Sequence, residues 1–367
     1  MRLQQIDFLR GIAVLSVVCF HQPGIEYLNQ IGWIGVDLFF VLSGFLVSSL
    51  IFKEYLTFGD FKPGLFLIRR GFKIYPAFYL FLALTFVLKL LTNEPRPLNL
   101  FLYEAVFLRN FLGGFWAHTW SLCVEEHFYF LLAGTSVLLA KRWFANQSRM
   151  NVLFFSILAV CLLLRILNVW AEQRFGQNAL LNEWSRRVHT IYCLDSLCFG
   201  VMLAYQFAFN RTRFITWFQS IQKFIFIPAV LAAGILPLFM MKGYASCFLI
   251  TLLNLSFGTI LVAFLADEQP FEWINKGIFK PITSAIAHVG VYSYTVYLIH
   301  PMIRDYFLRL LPFQDKWLVF LIYFSASIGF GMLLYHVVEH YCIGIRDKYY
   351  PARVKPVDNL NAGGIRS

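Results

Sequence analysis

Ten apolar segments divide the chain, at 6–22, 33–52, 74–92, 119–140, 151–170, 190–208, 224–241, 244–266, 288–310 and 317–340. Each approaches the roughly 20 residues that a helix needs to cross a hydrocarbon core about 30 Å thick. Hydrocarbon offers no hydrogen bonds, so every backbone N–H and C=O in such a segment must be satisfied internally. The expected fold is therefore all-α, a polytopic helical bundle with about ten transmembrane helices. Composition agrees: 14% of the 367 residues are charged and 59% hydrophobic, against about 25% charged in soluble domains. The formal charge of +11 suits basic loops at a membrane face and gives no sign of a nucleic-acid partner. Cys19, Cys123, Cys161, Cys193, Cys198, Cys247 and Cys342 lie mostly in apolar runs and read as free, space-filling thiols. Neither they nor the histidines show metal-ligand spacing, so no metal is expected.

Loop charge sets the expected orientation. Lys53, Lys62, Arg69, Arg70, Lys73, Lys141, Arg142, Arg149, Arg211, Arg213 and Lys223 fall on the same side as both termini. The positive-inside rule makes that side cytoplasmic. The first apolar run lacks a small-residue cleavage site and reads as the first span, not a signal peptide. Residues 1–345 form the transmembrane domain, and 346–367 read as a disordered cytoplasmic polar tail.

Ionisable side chains inside spans carry the functional information, because each costs roughly 2.5–3.5 kcal/mol to insert and normally faces protein or a wet cavity. The first span, IDFLRGIAVLSVVCFH, holds Asp7, Arg10 and His21. Eleven residues are close to three helical turns, so Arg10 and His21 share a face roughly 16 Å apart. Asp7 is placed to pair with Arg10. Interfacial charge alone accounts for Asp7 but poorly for His21. In the second span, Asp37 reads equally as a packing residue or as a carboxylate that orients His21, and Ser43 is a further polar group. Arg69, Arg70 and Lys73 lie in an expected cytoplasmic loop, as ordinary inside charge or as a phosphate clamp. The fourth span opens with Trp116, His118, Trp120, Glu125, Glu126 and Tyr129. Its carboxylates are hard to justify as packing, and its rings suit the C–H faces of a sugar. Asp195, His300 and Glu339 are each weak alone. With the others they describe a polar cavity inside the bundle.

These stretches resemble the membrane acyltransferase-3 family, which modifies cell-surface sugars. IDFLRGIAVLSVVCFH carries the Arg and His of the family's first motif as Arg10 and His21, and GVDLFFVLSGFL at 35–46 matches its second-helix signature. FLIRRGFKIYPAFY at 66–79, HTWSLCVEEHFYFL at 118–131, YSYTVYLIHP at 292–301 and VVEH at 337–340 are similar to later signatures. Three positions depart: Lys73 stands where a second Arg is usual, His127 where Gln is common, and Tyr341 where Pro would be. The loss of the Arg removes a bidentate phosphate contact but keeps the charge.

The resemblance implies an integral-membrane O-acyltransferase of a bacterial inner (plasma) membrane. It implies acyl-CoA, acetyl-CoA first, as co-substrate, and a hydroxyl of a cell-surface or lipid-linked sugar as acceptor. His21 is then general base, or alternatively a nucleophile, with Arg10, Asp7, Asp37, Glu125 and Glu126 around it. Arg69, Arg70 and Lys73 hold the coenzyme phosphates, and Ser43, Trp116, Trp120, Tyr129 and His300 meet substrate. An appended esterase-like domain does not fit in 367 residues. Two rivals stand beside it: a transporter of a lipid-linked sugar or an acyl carrier, which uses the same cavity for passage, and a non-enzymatic partner in envelope assembly. The transporter leads one to expect pseudo-symmetric halves, which the sequence does not display.

Overall fold

The computed structural model describes residues 3–95, 97–144, 146–176, 188–239, 242–266, 269–312 and 315–354. Arg2, Arg96, Arg186, Arg187 and the tail from 355 to 367 lie outside the described residues. The described chain is helical. Its long elements are α1 (Gln4–His21), α2 (Gly35–Phe58), α3 (Pro63–Leu91), α4 (Trp120–Trp143), α5 (Gln147–Phe175) and α6 (Thr190–Phe209). They continue with α7 (Arg211–Phe239), α8 (Gly243–Ala266), α9 (Lys280–Val291), α10 (Ser293–Met302), α11 (Lys316–Leu334) and α12 (His340–Tyr349). α1 packs on α2, α9 and α10; α2 also packs on α6; α6 packs on α5 and α8; α3 packs on α4 and α12.

Among the described residues, 7 helices are long and apolar enough to cross a membrane, or 8 if one bent pair counts as a single span. α1 and α4, the helices richest in intramembrane charge, fall outside that set. The expected span 288–310 is broken: the helical stretches Gly277–Val291 and Ser293–Leu310 meet at 77°. Tyr292 sits at the bend, and the new N-terminus at Ser293 points its first turn into protein, where non-regular backbone at membrane depth is tolerated.

Two corrections bear on the site. The basic stretch expected as a loop is helical. α2 runs on to Phe58, Gly59 caps it at φ 72° with its N–H on the Tyr55 carbonyl, and α3 begins at Pro63. Glycine takes that left-handed conformation without strain, and proline suits the first helical position because its missing N–H would have no partner there. Lys73 therefore shares a helix face with both Arg70, three residues before it, and Arg69, four before it, while Arg69 and Arg70 stand about 100° apart. The chain after 346 is also not loose at its start. α12 continues to Tyr349, and Arg353 binds Glu54 and Asp60, each at 2.7 Å.

Candidate active site

The N-terminal half of α1 meets α9 through glycine. A Cβ on Gly290 would overlap the Asp7 carbonyl, and one on Gly11 would overlap the Ile286 carbonyl. This close approach lets α1 reach the bundle interior. Asp7 is buried, and Arg10 Nη1 lies 3.9 Å from its Oδ1.

Arg10 opens into a cavity of about 170 Å³ between α1, α2, α3, α4 and α10. Its polar wall comprises Arg10, Ser43, Arg70, Lys73, Ser121, Glu125, Tyr129, Ser293, Tyr294 and Tyr297. Tyr129 donates its one hydroxyl proton to Glu125 at 3.0 Å, so Ser43 donates to Tyr129 across 2.6 Å. The Arg70 guanidinium sits 5.2 Å from the Tyr129 ring centroid, a cation–π contact worth about 0.5–2 kcal/mol. The Ser293 hydroxyl, fully buried at the first turn of α10, has no hydrogen-bond partner among the described residues. Positive groups, a helix N-terminus and one carboxylate thus converge on this space.

A second cavity of about 250 Å³ lies at the α3 start, between α2, α3 and the segment 346–354. Arg69, Arg70, Lys73, Arg346 and Arg353 line it, with Phe61, Leu65 and Phe66 as its apolar side. Arg70 and Lys73 line both cavities.

The opposite end of α1 carries a histidine cluster. The His21 and His300 rings are 4.9 Å apart, and His300 and His118 are 5.3 Å apart. Tyr297, in the wall of the first cavity, lies 5.5 Å from both His300 and His118. A carbonyl only accepts, so the ring nitrogen facing one must carry the proton. His21 Nδ1 faces the Val17 carbonyl at 2.8 Å, His300 Nδ1 the Tyr297 carbonyl at 2.6 Å, and His118 Nε2 the Leu298 carbonyl at 3.2 Å. Each neutral ring then keeps one bare nitrogen. Arg304 and Asp305, themselves paired at 2.6 Å, lie near enough to His21 to act on it electrostatically.

The expected site residues are thus sorted into groups. Arg10, Ser43, Arg70, Lys73, Glu125 and Tyr129 share the cavity wall. His21 and His300 pair beyond it. Glu126 is buried behind, accepting from Tyr75 at 2.9 Å. Asp37 is buried in the first turn of α2. Trp116 donates to Thr85 at 2.9 Å, and Trp120 packs edge-on to Phe40, both away from the cavity lining. Arg69 lines only the second cavity. Asp195 belongs elsewhere: it is buried against Arg165, with Asn254 donating to it at 3.3 Å. His118, Arg304, Asp305 and Glu104 had no role assigned from sequence. Glu104 accepts from the Phe115 N–H at 2.9 Å and from Thr119, fixing the chain that leads into α4.

A membrane-spanning helical bundle with a charged internal cavity defines the broad class. The family described as "Acyltransferase domain" matches residues 3–336, and the chain belongs to it. It is 26% identical over 369 residues, 91% of this chain and 56% of the relative, to a protein named "Putative O-acetyltransferase" from Staphylococcus aureus strain COL. It is 27% identical over 252 residues, 54% of this chain and 38% of the relative, to one named "Putative peptidoglycan O-acetyltransferase" from Bacillus subtilis strain 168. Over 183 residues, 45% of this chain and 30% of the relative, it is 27% identical to an O-acetyltransferase of S. aureus strain NCTC 8325. The chain spans about half the length of the first of these and less of the others.

Proposed function

We propose that the chain is an O-acyltransferase of a bacterial inner membrane, with both termini cytoplasmic. It takes an acyl group, acetyl first, from acyl-CoA and passes it to a hydroxyl of a cell-surface or lipid-linked sugar. The observation that carries this reading is the pair Arg70 and Lys73, which line both cavities and join the basic one to the internal one. Phosphates held at the basic end leave a thioester arm free to run inward. Arg10 to His21 is three helical turns, roughly 16 Å. His21, its Nδ1 proton committed to Val17, offers Nε2 as general base. The sugar oxygen attacks the thioester carbon as His21 takes the hydroxyl proton. The C–O bond forms, the C–S bond breaks, and the proton passes to the departing thiolate. Arg10, Arg70 and the α10 N-terminus line the route along which the thioester arm runs inward, while Glu125, Tyr129 and Ser43 hold the wall in shape.

Mass spectrometry of host surface glycans tests this reading by comparing wild type, a deletion strain and His21→Ala at equal expression. Loss of one ester mass in both mutants supports it. Ester loss in the deletion with retention in His21→Ala removes His21 as catalyst and favours a transport role, to which the 77° break in the α9–α10 span also lends itself. Orientation has its own test: on a His21→Cys chain, labelling only by cytoplasmic thiol reagents would sink the proposed sidedness.

A further inference from the structure

The segment 346–354 flanks the basic cavity and contributes Arg346, Ala352, Arg353 and Val354 to its lining. It is pinned at its far end. Arg353 binds Glu54 and Asp60 at 2.7 Å each, and its guanidinium lies 4.3 Å from the Phe58 ring centroid. Nearer α12, the Asp347 carboxylate is shared by two guanidinium groups: Oδ1 accepts from Arg69 at 2.9 Å and from Arg346 at 2.9 Å. Arg69 also donates to the Tyr350 carbonyl. Asp347 is 53% exposed, so water and an incoming anion both reach it.

An anionic oxygen between two guanidinium groups is the arrangement that a phosphate monoester adopts between two arginines. A monoester brings three oxygens and up to two charges where a carboxylate brings two oxygens and one charge, so it outcompetes the carboxylate for the same pair. We propose that Arg346 and Arg69 together form the seat for the phosphate monoester of the acyl donor, and that Asp347 holds this seat until the phosphate takes it. Arg353 keeps the strap in place. The inference rests on the donor reading above. It adds Arg346, from the C-terminal segment, to the expected clamp of Arg69, Arg70 and Lys73.

Binding is read by calorimetry on the full chain in nanodiscs, with coenzyme A and with dephospho-coenzyme A, which lacks the monoester. Losing one charge-assisted contact corresponds to roughly tenfold in affinity. Arg346→Gln is expected to weaken coenzyme A about tenfold and leave dephospho-coenzyme A unchanged, with Arg346→Lys between wild type and Arg346→Gln. Asp347→Asn is expected to tighten coenzyme A several-fold, because the competing anion is gone. The inference is overturned if Arg346→Gln binds both compounds as wild type does, or if Asp347→Asn weakens binding as a broken strap would. Melting temperatures of the variants separate misfolding from lost contact. Failure of the wild type to bind coenzyme A at all sinks the donor reading itself. If the Arg346→Gln deficit exists only in discs containing anionic lipid, the seat belongs to a lipid headgroup and the inference also fails.

Discussion

Gly290→Ala offers the sharpest test of how the site is held. The added methyl would overlap the Asp7 carbonyl and stand 2.8 Å from the Gly11 amide nitrogen. Both are backbone atoms of α1, so no rotamer change relieves the clash; the helix itself must move. Overpacking of this kind costs about 1–3 kcal/mol, and the better helix propensity of alanine returns up to about 1 kcal/mol, leaving a net loss of about 1–2 kcal/mol. A loss of that size lowers the melting temperature of a 367-residue chain by roughly 1–3 °C. The effect on transfer is larger, because α1 carries Arg10 and His21 and a displacement near 1 Å costs on the order of a hundredfold in rate. The control is Gly134→Ala in α4, where an added Cβ meets nothing within 4 Å. Thermal unfolding in detergent and acyl transfer should both separate the two variants. If Gly290→Ala melts and turns over like Gly134→Ala, the close α1–α9 crossing does not position the site.

Three further outcomes follow from the same geometry. Asp195→Asn or Arg165→Met, each stranding one half of a buried ion pair, should cost about 3–5 kcal/mol of stability, while Arg165→Met with Asp195→Leu should cost less than either alone; detergent unfolding curves decide. Glu125→Gln and Tyr129→Phe should each lower transfer at least about tenfold with little change in melting, since they alter a hydrogen-bonded wall and not the packing. Glu94, outside the spans, accepts from Lys89 at 3.0 Å and from Tyr306 at 3.1 Å, and the Lys89 hydrogen bond holds its carboxyl below the usual 4.5. Its contribution is therefore present above pH 4.5 and is lost as pH falls through the lowered value, so protease access near Arg309 should rise there in wild type but show no such step in Glu94→Gln.

The helices were legible because apolar length alone demands them, and the residues that converge on the cavity were legible because charge at membrane depth is costly. What escaped has physical reasons. Hydropathy dips at Arg69, Arg70 and Lys73, which made the first turns of α3 look like a loop, although the three-residue spacing of Arg70 and Lys73 is itself helical. Nothing in VGVYSYTVYLIHP marks Tyr292 as a bend, since hydrophobic pattern records burial and not the tilt of one half-helix against the next. Arg165, set within an apolar run, was the available sign that Asp195 had a partner of its own. Arg304 and Asp305 sit in a π-helical turn, Ile303–Phe307. One extra residue per turn re-aims side chains, and such turns recur at functional sites.

The polar interior divides by whether an ion pair holds it together. Around Asp195, Arg165 reaches the carboxylate, the Tyr192 carbonyl at 3.2 Å and the Cys247 carbonyl at 3.2 Å, so its donors are largely consumed in an ion pair that ties helices together, while Asp195 Oδ1 and Asn254 Oδ1 keep no partner among the described residues. At the histidine cluster no ion pair offsets the bare acceptors. His300 Nε2 and His118 Nδ1 are buried without a partner among the described residues, each at a cost of about 1–3 kcal/mol. Two leucines would pack the same volume without that penalty. A bundle that only spanned the membrane gains nothing from the two bare nitrogens; one that must receive a hydroxyl proton beside His21 gains acceptors 4.9 and 5.3 Å along the chain of rings. On that ground His300→Leu should melt higher than wild type and transfer more slowly, a combination that a packing role for the ring does not produce. A lower melting temperature with unchanged transfer would return His300 to the core.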